Sequence, residues 1–190
     1  MQTLKKGFFI IIIILLFTSA CSQQQPLPEV PEPEEEPDIQ VPLFENAQTY
    51  REKGFTLRYP ESWVLLAEEK VQGSITLRLQ EEGDSAAQVI ISYFPGVGLT
   101  EGEALGEAEA LLRNSLFRIK EEFLTKEEKI GDNIIPIIYT RSGETETKIV
   151  QTAVITGRKG YLLATLLGRE ETEEYFAPIF RSMLEGIVVE

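Results

Sequence analysis

Apolar residues recur along this chain with two periods, and the switches between them mark out its elements beyond residue 53. Gly54-Phe55-Thr56-Leu57-Arg58-Tyr59-Pro60 alternates apolar and polar side chains and stops at proline, which predicts a half-buried strand. Pro60-Glu61-Ser62 turns the chain and Trp63 to Leu66 restarts it. Ser74 to Gln80 alternates again, with Ile75, Leu77 and Leu79 set against Thr76, Arg78 and Gln80, so one face meets water. Glu82 to Ser85 is a hairpin turn signal, and Gln88 to Phe94 follows as a strand apolar on both faces in its middle. Ahead of these, Phe44 to Lys53 is polar and mixed, and predicts an irregular lead-in or one helical turn.

From Thr100 to Phe123 the period changes. Leu105, Ala108, Leu112, Leu116, Ile119 and Phe123 recur at three and four, the stripe of an amphipathic helix. Thr100 with Glu103 fits a capping box, although Gly102 and Gly106 weaken the first turn. Period two then returns in Glu127 to Ile130, Ile134 to Arg141, Thr147 to Thr156 and Tyr161 to Leu167. The short links Gly131-Asp132-Asn133, Ser142-Gly143-Glu144 and Gly157 to Gly160 make these strands an antiparallel meander. Pro136 calls for a strand beginning, a bulge or an edge. Glu170 to Gly186 is a second helix, buried along Phe176, Ile179, Phe180, Met183, Leu184 and Ile187. Pro178 places its regular part from near Tyr175. Residues 161–167 and 89–94 are apolar on both sides and need cover on both, which two amphipathic helices supply. The class is α+β: an antiparallel sheet of six to eight strands with helices on it.

The N-terminal part follows different rules. Lys5 and Lys6 precede the unbroken apolar run Phe8 to Phe17, and small residues then lead into Cys21, the only cysteine. This is the plan of an export signal. As a helix, Phe8 to Ala20 covers only about 20 Å of a roughly 30 Å hydrocarbon core. Ser22 to Pro42 has prolines at 26, 28, 31, 33, 37 and 42, six acidic side chains and no basic ones. It reads as an extended, solvated tether reaching roughly 60 Å, which stands a folded domain off from a bilayer. A proline-rich ligand for a partner domain is the other reading, and no basic PxxP site accompanies it.

Lys5 to Cys21 resembles the leader of a bacterial lipoprotein precursor through the lipobox Thr18-Ser19-Ala20-Cys21, with Thr18 where leucine is usual. The resemblance implies cleavage before Cys21 and acylation of Cys21, palmitate included. It also implies a lipid-anchored place on the extracytoplasmic face of the cell membrane. In a two-membrane cell, Ser22 after Cys21 leans towards the outer membrane. Ordinary secretory cleavage after Ala20, leaving Cys21 a free thiol, and an uncleaved single-pass anchor remain open. The expected organisation is a signal peptide over 1–20, the lipidated cysteine and tether over 21–42, and one folded domain over 43–190.

Gly54 to Pro60 with Glu61-Ser62-Trp63 also resembles the opening signature G-F-S-hydrophobic-x-Y-P-x-x-W of PsbP-like domains. Tyr161 to Leu166, an acidic stretch, Tyr175-Phe176-Ala177-Pro178-Ile179-Phe180 and a terminal amphipathic helix are similar to that family's ending. The group includes photosystem PsbP, the Ran-binding Mog-type proteins and DcrB-like bacterial envelope lipoproteins. The likeness spans residues 54–188. It implies an α/β/α sandwich with a central antiparallel sheet and two main helices, in proteins that chiefly bind or assemble others.

Charge and composition narrow the function. The formal charge of −13 becomes −15 once Lys5 and Lys6 leave with the leader, and no basic stripe is present. Nucleic acid is therefore not expected as a partner, nor is contact of the domain surface with anionic lipid. The chain has no histidine, which removes the commonest general base and metal ligand. No nucleophile motif or phosphate-cradling loop appears, so no catalytic, cofactor-binding or metal site is expected.

Several residues could still form sites. Trp63 beside Tyr59 reads as a core tryptophan sooner than a ligand platform, and Tyr93-Phe94-Pro95 as packing under the first helix sooner than a groove rim. The pairs Glu68-Glu69, Glu81-Glu82, Glu121-Glu122, Glu127-Glu128 and Glu170-Glu171 lack calcium-loop spacing and read as solvated surface. Arg158-Lys159 reads as a soluble hairpin tip. The expected function is a non-catalytic envelope lipoprotein whose domain docks an envelope protein of unknown identity through an exposed apolar patch. The alternative is a small-ligand carrier or sensor with a pocket between sheet and helix.

Overall fold

The computed structural model describes residue 44 and residues 46–96, 98–114, 122–142 and 148–190. Ten strands and two helices follow in order: β1 (Ala47–Glu52), β2 (Phe55–Pro60), β3 (Trp63–Val71), β4 (Ser74–Glu81), β5 (Ala87–Pro95), α1 (Glu101–Asn114), β6 (Leu124–Ile130), β7 (Asn133–Ser142), β8 (Lys148–Thr156), β9 (Gly160–Arg169), α2 (Glu173–Glu185) and β10 (Val188–Val189). A 3₁₀ turn, Glu170–Thr172, leads into α2.

Seven strands form one antiparallel sheet in the order β3-β4-β5-β9-β8-β7-β6. Two meanders, β3 to β5 and β6 to β9, therefore meet where β5 pairs with β9 over the full run Ala87↔Gly168 to Pro95↔Gly160. The register sets Leu124, Tyr139, Gln151, Leu166, Val89, Leu79 and Leu65 in one row across the sheet. On that face lies the main core, where Leu77, Leu79, Val89, Ile91, Ile137, Ala153, Leu162 and Leu166 meet Phe176, Phe180, Met183 and Leu184 of α2. The opposite face carries a smaller core, in which Ala104, Ala108 and Leu112 of α1 pack on Ile138, Val150, Val154 and Leu163. The class is α+β, with the layers α1, sheet, and α2 beside a small second sheet.

That small sheet, β1-β2-β10, is where the structure adds to the periodicity. Residues 55–60 do not join the large sheet: β2 pairs with β1 from Ala47↔Pro60 to Glu52↔Phe55 and with β10 at Val188↔Thr56. Residues 47–52 are thus a strand and not an irregular lead-in or helical turn. Only Tyr50 turns inward, against Phe55 at 5.7 Å between ring centroids, so the ladder to β2 holds β1 without an apolar face of its own. Gly54, at φ +107°, completes the two-residue turn between them. Tyr50 also donates to Glu68 at 2.9 Å, and Lys70 bridges Glu68 and Glu52, so β1 is tied to β3.

β3 runs five residues beyond Leu66, because Gln72 (φ 51°) and Gly73 (φ 88°) form a tight turn that zips it to β4 through Val71↔Ser74. The capping box at α1 is formed: Thr100 N–H donates to Glu103 at 2.9 Å and Glu103 N–H to Thr100 Oγ1 at 3.4 Å. The expected positions Leu116 and Ile119 lie outside the described residues. Phe123 is not helical; it packs on the smaller core with the Arg113 guanidinium 4.3 Å from its ring centre. Pro136 sits just outside the β7–β8 ladder, which begins at Ile137↔Ala153. α2 starts at Glu173, two residues before Tyr175, with Pro178 inside it. The carbonyl that Pro178 leaves without a helical donor belongs to Glu174, an exposed residue where water can take that role.

Candidate functional site

At one end of the domain, the start of β7, the end of β8 and the C-terminal end of α2 with β10 enclose an open depression of about 320 Å³. Its floor is aliphatic, with Ile135, Val154, Leu184 and Ile187 all buried. Ile134 and Val188 stand on its walls at 67% and 62% exposure, among the most exposed large apolar residues of the described domain. Period two explains both. In the doublets Ile134-Ile135 and Val188-Val189 one member must face out, and Ile135 is the one that enters the core. Glu101, Asn133 and Thr156 are polar residues of its lining. The depression lies by Val189↔Phe55, at the opposite end of β2 from Pro60, where β1 begins.

A second hollow, a trough of about 340 Å³, runs between α1 and the sheet. Leu111 and Leu112 form its helix side, Ile90, Phe94 and Leu163 its sheet side, and Thr152, Thr165 and Ser92 its hydroxyl-bearing floor. Asn114 stands at one end, and among the described residues no charged side chain lines it. This is the place, between sheet and helix, that the small-ligand reading requires.

The residues singled out in the sequence fall elsewhere. Trp63 is 1% exposed and edge-on to Phe176 at 6.1 Å, a core residue. Tyr59 is buried and donates to Gln48 at 3.0 Å. Tyr93 and Phe94 take opposite faces of β5: Tyr93 packs on Phe55 in the main core, and Phe94 stacks on Tyr161 at 4.9 Å on the α1 side. Only Phe94 therefore fits the expected packing under the first helix. Lys159 is tied into the structure, through an ion pair to Glu190 at 3.0 Å and backbone bonds to Gly96 and Glu190. Its neighbour Arg158 is exposed.

Most members of the acidic pairs are surface residues, as expected, and Glu170 pairs with Arg141 while Glu81 accepts from the Tyr175 hydroxyl. Glu128 departs from this. It is half-buried, takes Arg181 Nε at 2.8 Å and Nη2 at 3.1 Å, and accepts the Tyr139 hydroxyl. Burial foremost, then the bond to Glu128, raises the Tyr139 phenol above its ordinary range. Across 53 residues of sequence no periodicity links Glu128 to Arg181. Among the described residues no three carboxylates gather into a metal-holding group, and no helix is long and apolar enough to cross a membrane. Cys21 and Glu121 lie outside the described residues.

No protein-family model matches the sequence, and no curated protein matches it. Solved structures do. Cyanobacterial PsbP (CyanoP) from Synechocystis sp. PCC 6803 superposes with a TM-score of 0.53 at 12% identity, over 76% of this chain and 92% of that one. The fold is PsbP-like. LpqN, involved in cell envelope biogenesis of Mycobacterium tuberculosis, matches with a TM-score of 0.45 at 14% identity, over 76% of this chain and 90% of that one. A Bacteroides thetaiotaomicron VPI-5482 protein matches with a TM-score of 0.45 at 14% identity and 72% coverage of this chain, which spans 45% of that longer structure.

Proposed function

We propose that the protein is a lipid-anchored, non-catalytic envelope protein whose PsbP-like domain docks a protein partner at the extracytoplasmic face of the membrane. The observation that carries the docking is the Ile134–Val188 depression. Single exposed aliphatics are ordinary on a protein surface, but here two strongly exposed ones flank one concave site with an aliphatic floor and polar residues at its edge. Such a site suits an apolar anchor side chain of a partner, desolvated at the centre of an interface. Anchoring rests on Cys21 and its leader, and the acidic, proline-rich tether gives the domain its reach.

Two measurements test this. Radiolabelled palmitate should enter the wild-type protein in cells and not a Cys21→Ser variant; label that persists without Cys21 would defeat the anchoring. An envelope protein that co-purifies with the tagged full chain should be lost from the double variant Ile134→Asp, Val188→Asp and retained by Glu82→Arg, at an exposed turn away from the depression. Equal recovery from the double variant and wild type would defeat the docking site.

A further inference from the structure

We infer that the trough beneath α1 is a separate binding site, which takes an uncharged, largely apolar small molecule carrying a hydrogen-bond acceptor such as a carbonyl or ether oxygen. It shares no lining residue with the Ile134–Val188 depression and does not depend on docking there.

The form of the hollow follows from residue size. α1 meets the sheet closely through Ala104 and Ala108, both fully buried, and the trough opens a turn further on between Leu111 and Ile90. At about 340 Å³ it is at the small end of the ligand-pocket range of roughly 300 to 1,000 Å³. Apart from Asn114 at one end, its described walls are hydrocarbon and carry no charge, so among the described residues a charged ligand would lose its hydration with nothing to pair against.

The floor adds direction. Thr152 and Thr165 are buried with their hydroxyl oxygens 3.0 Å apart, so one donates to the other. Each hydroxyl has one hydrogen, so the pair uses one O–H internally and the other is left to donate. Ser92, which contacts Thr76 at 3.5 Å, brings a further hydroxyl to the same floor. Donors set in a hydrocarbon slot favour a ligand that presents an acceptor at its base and apolar surface to the sides.

The test uses three probes of nearly one shape: methyl 2-naphthoate, its carboxylate 2-naphthoate, and 2-ethylnaphthalene. They are titrated into the full chain in lipid nanodiscs, with methyl-labelled isoleucine and leucine read by NMR. The ester should shift Ile90, Leu111 and Leu163 saturably and leave Ile134 unmoved. The carboxylate should bind about tenfold more weakly or worse, and the hydrocarbon should also be weaker than the ester. The triple variant Ser92→Ala, Thr152→Val, Thr165→Val, which strips every hydroxyl from the floor, should abolish the preference for ester over hydrocarbon, and Leu111→Arg at the exposed wall should weaken all three probes. The inference is overturned if the ester gives no saturable shift or moves Ile134 instead. It is also overturned if the carboxylate binds equally well, or if the triple variant leaves the ester preference intact.

Discussion

Arg181→Ala probes the contact that fastens α2 to the far edge of the sheet. Arg181 joins β6 and β7 at once, through Glu128 at 2.8 and 3.1 Å and the Tyr139 hydroxyl at 3.2 Å, and also donates to its own helix at the Ala177 carbonyl, 3.1 Å away. The side chains of Arg181 and Glu128 keep only 16% and 24% of their exposure, so the pair is screened less than a surface ion pair and desolvated less than a core one. Removing Arg181 leaves Glu128 half-buried with Tyr139 still donating to it, which limits the penalty. Charged hydrogen bonds of this kind are worth about 1.5–3 kcal/mol, so we expect a loss of about 2 kcal/mol. Arg181→Lys should recover less than half, because one ammonium cannot form the planar fork that serves carboxylate and phenol together. Urea unfolding followed by circular dichroism measures this, with an unchanged slope reporting an unchanged denatured state. A double-mutant cycle with Glu128→Gln isolates the coupling. A loss below about 0.5 kcal/mol, the range of ordinary surface substitutions, or full rescue by lysine, would refute the reasoning.

Three further outcomes follow from the packing and the titrating groups. Gly160→Ala should cost about 3 kcal/mol or prevent folding, since its Cβ would run into the Phe94 carbonyl and lie 3.0 Å from the Tyr93 ring; thermal unfolding measures it. Thr100→Ala removes the cap of α1 and should cost about 1 kcal/mol in the same assay. The Tyr50 phenol, pushed up to about 12 by burial and by its bond to Glu68, should titrate late when followed by ultraviolet difference absorption. Because this value is raised, Tyr50's contribution to stability is complete below the ordinary tyrosine value of about 10 and lost as pH rises through about 12. Tyr50→Phe should flatten that alkaline loss, and an unchanged profile would contradict the assignment.

Hairpins, caps and the antiparallel class were legible because their causes are local. Alternation through Ile75, Leu77 and Leu79 and the glycine turns at 131 and 157 state strand and reversal in a few residues, and Thr100 with Glu103 states the helix start. β1 was not legible, since Ala47 to Glu52 offers one inward ring and depends on pairing with β2. The neighbouring of β5 and β9, and the departure of β2 to a second sheet, are choices among partners distant in sequence, which periodicity does not rank. The candidate surface was half visible. The doublets Ile134-Ile135 and Val188-Val189 imply that an aliphatic side chain faces out at each place, but only the fold brings the two places together. The clamp of Glu128 by Arg181 has the same origin, as does the trough under α1, whose lining comes from four elements.

The most direct test of docking is site-specific photo-crosslinking in living cells, with a photoreactive residue placed in turn at Ile134, Val188 and, as control, Glu82 of the full chain. Capture of the same envelope protein from 134 and 188, absent at 82 and lost when the opposite wall is changed to aspartate, is the predicted result. Equal capture at all three positions, or none at 134 and 188, would contradict the account.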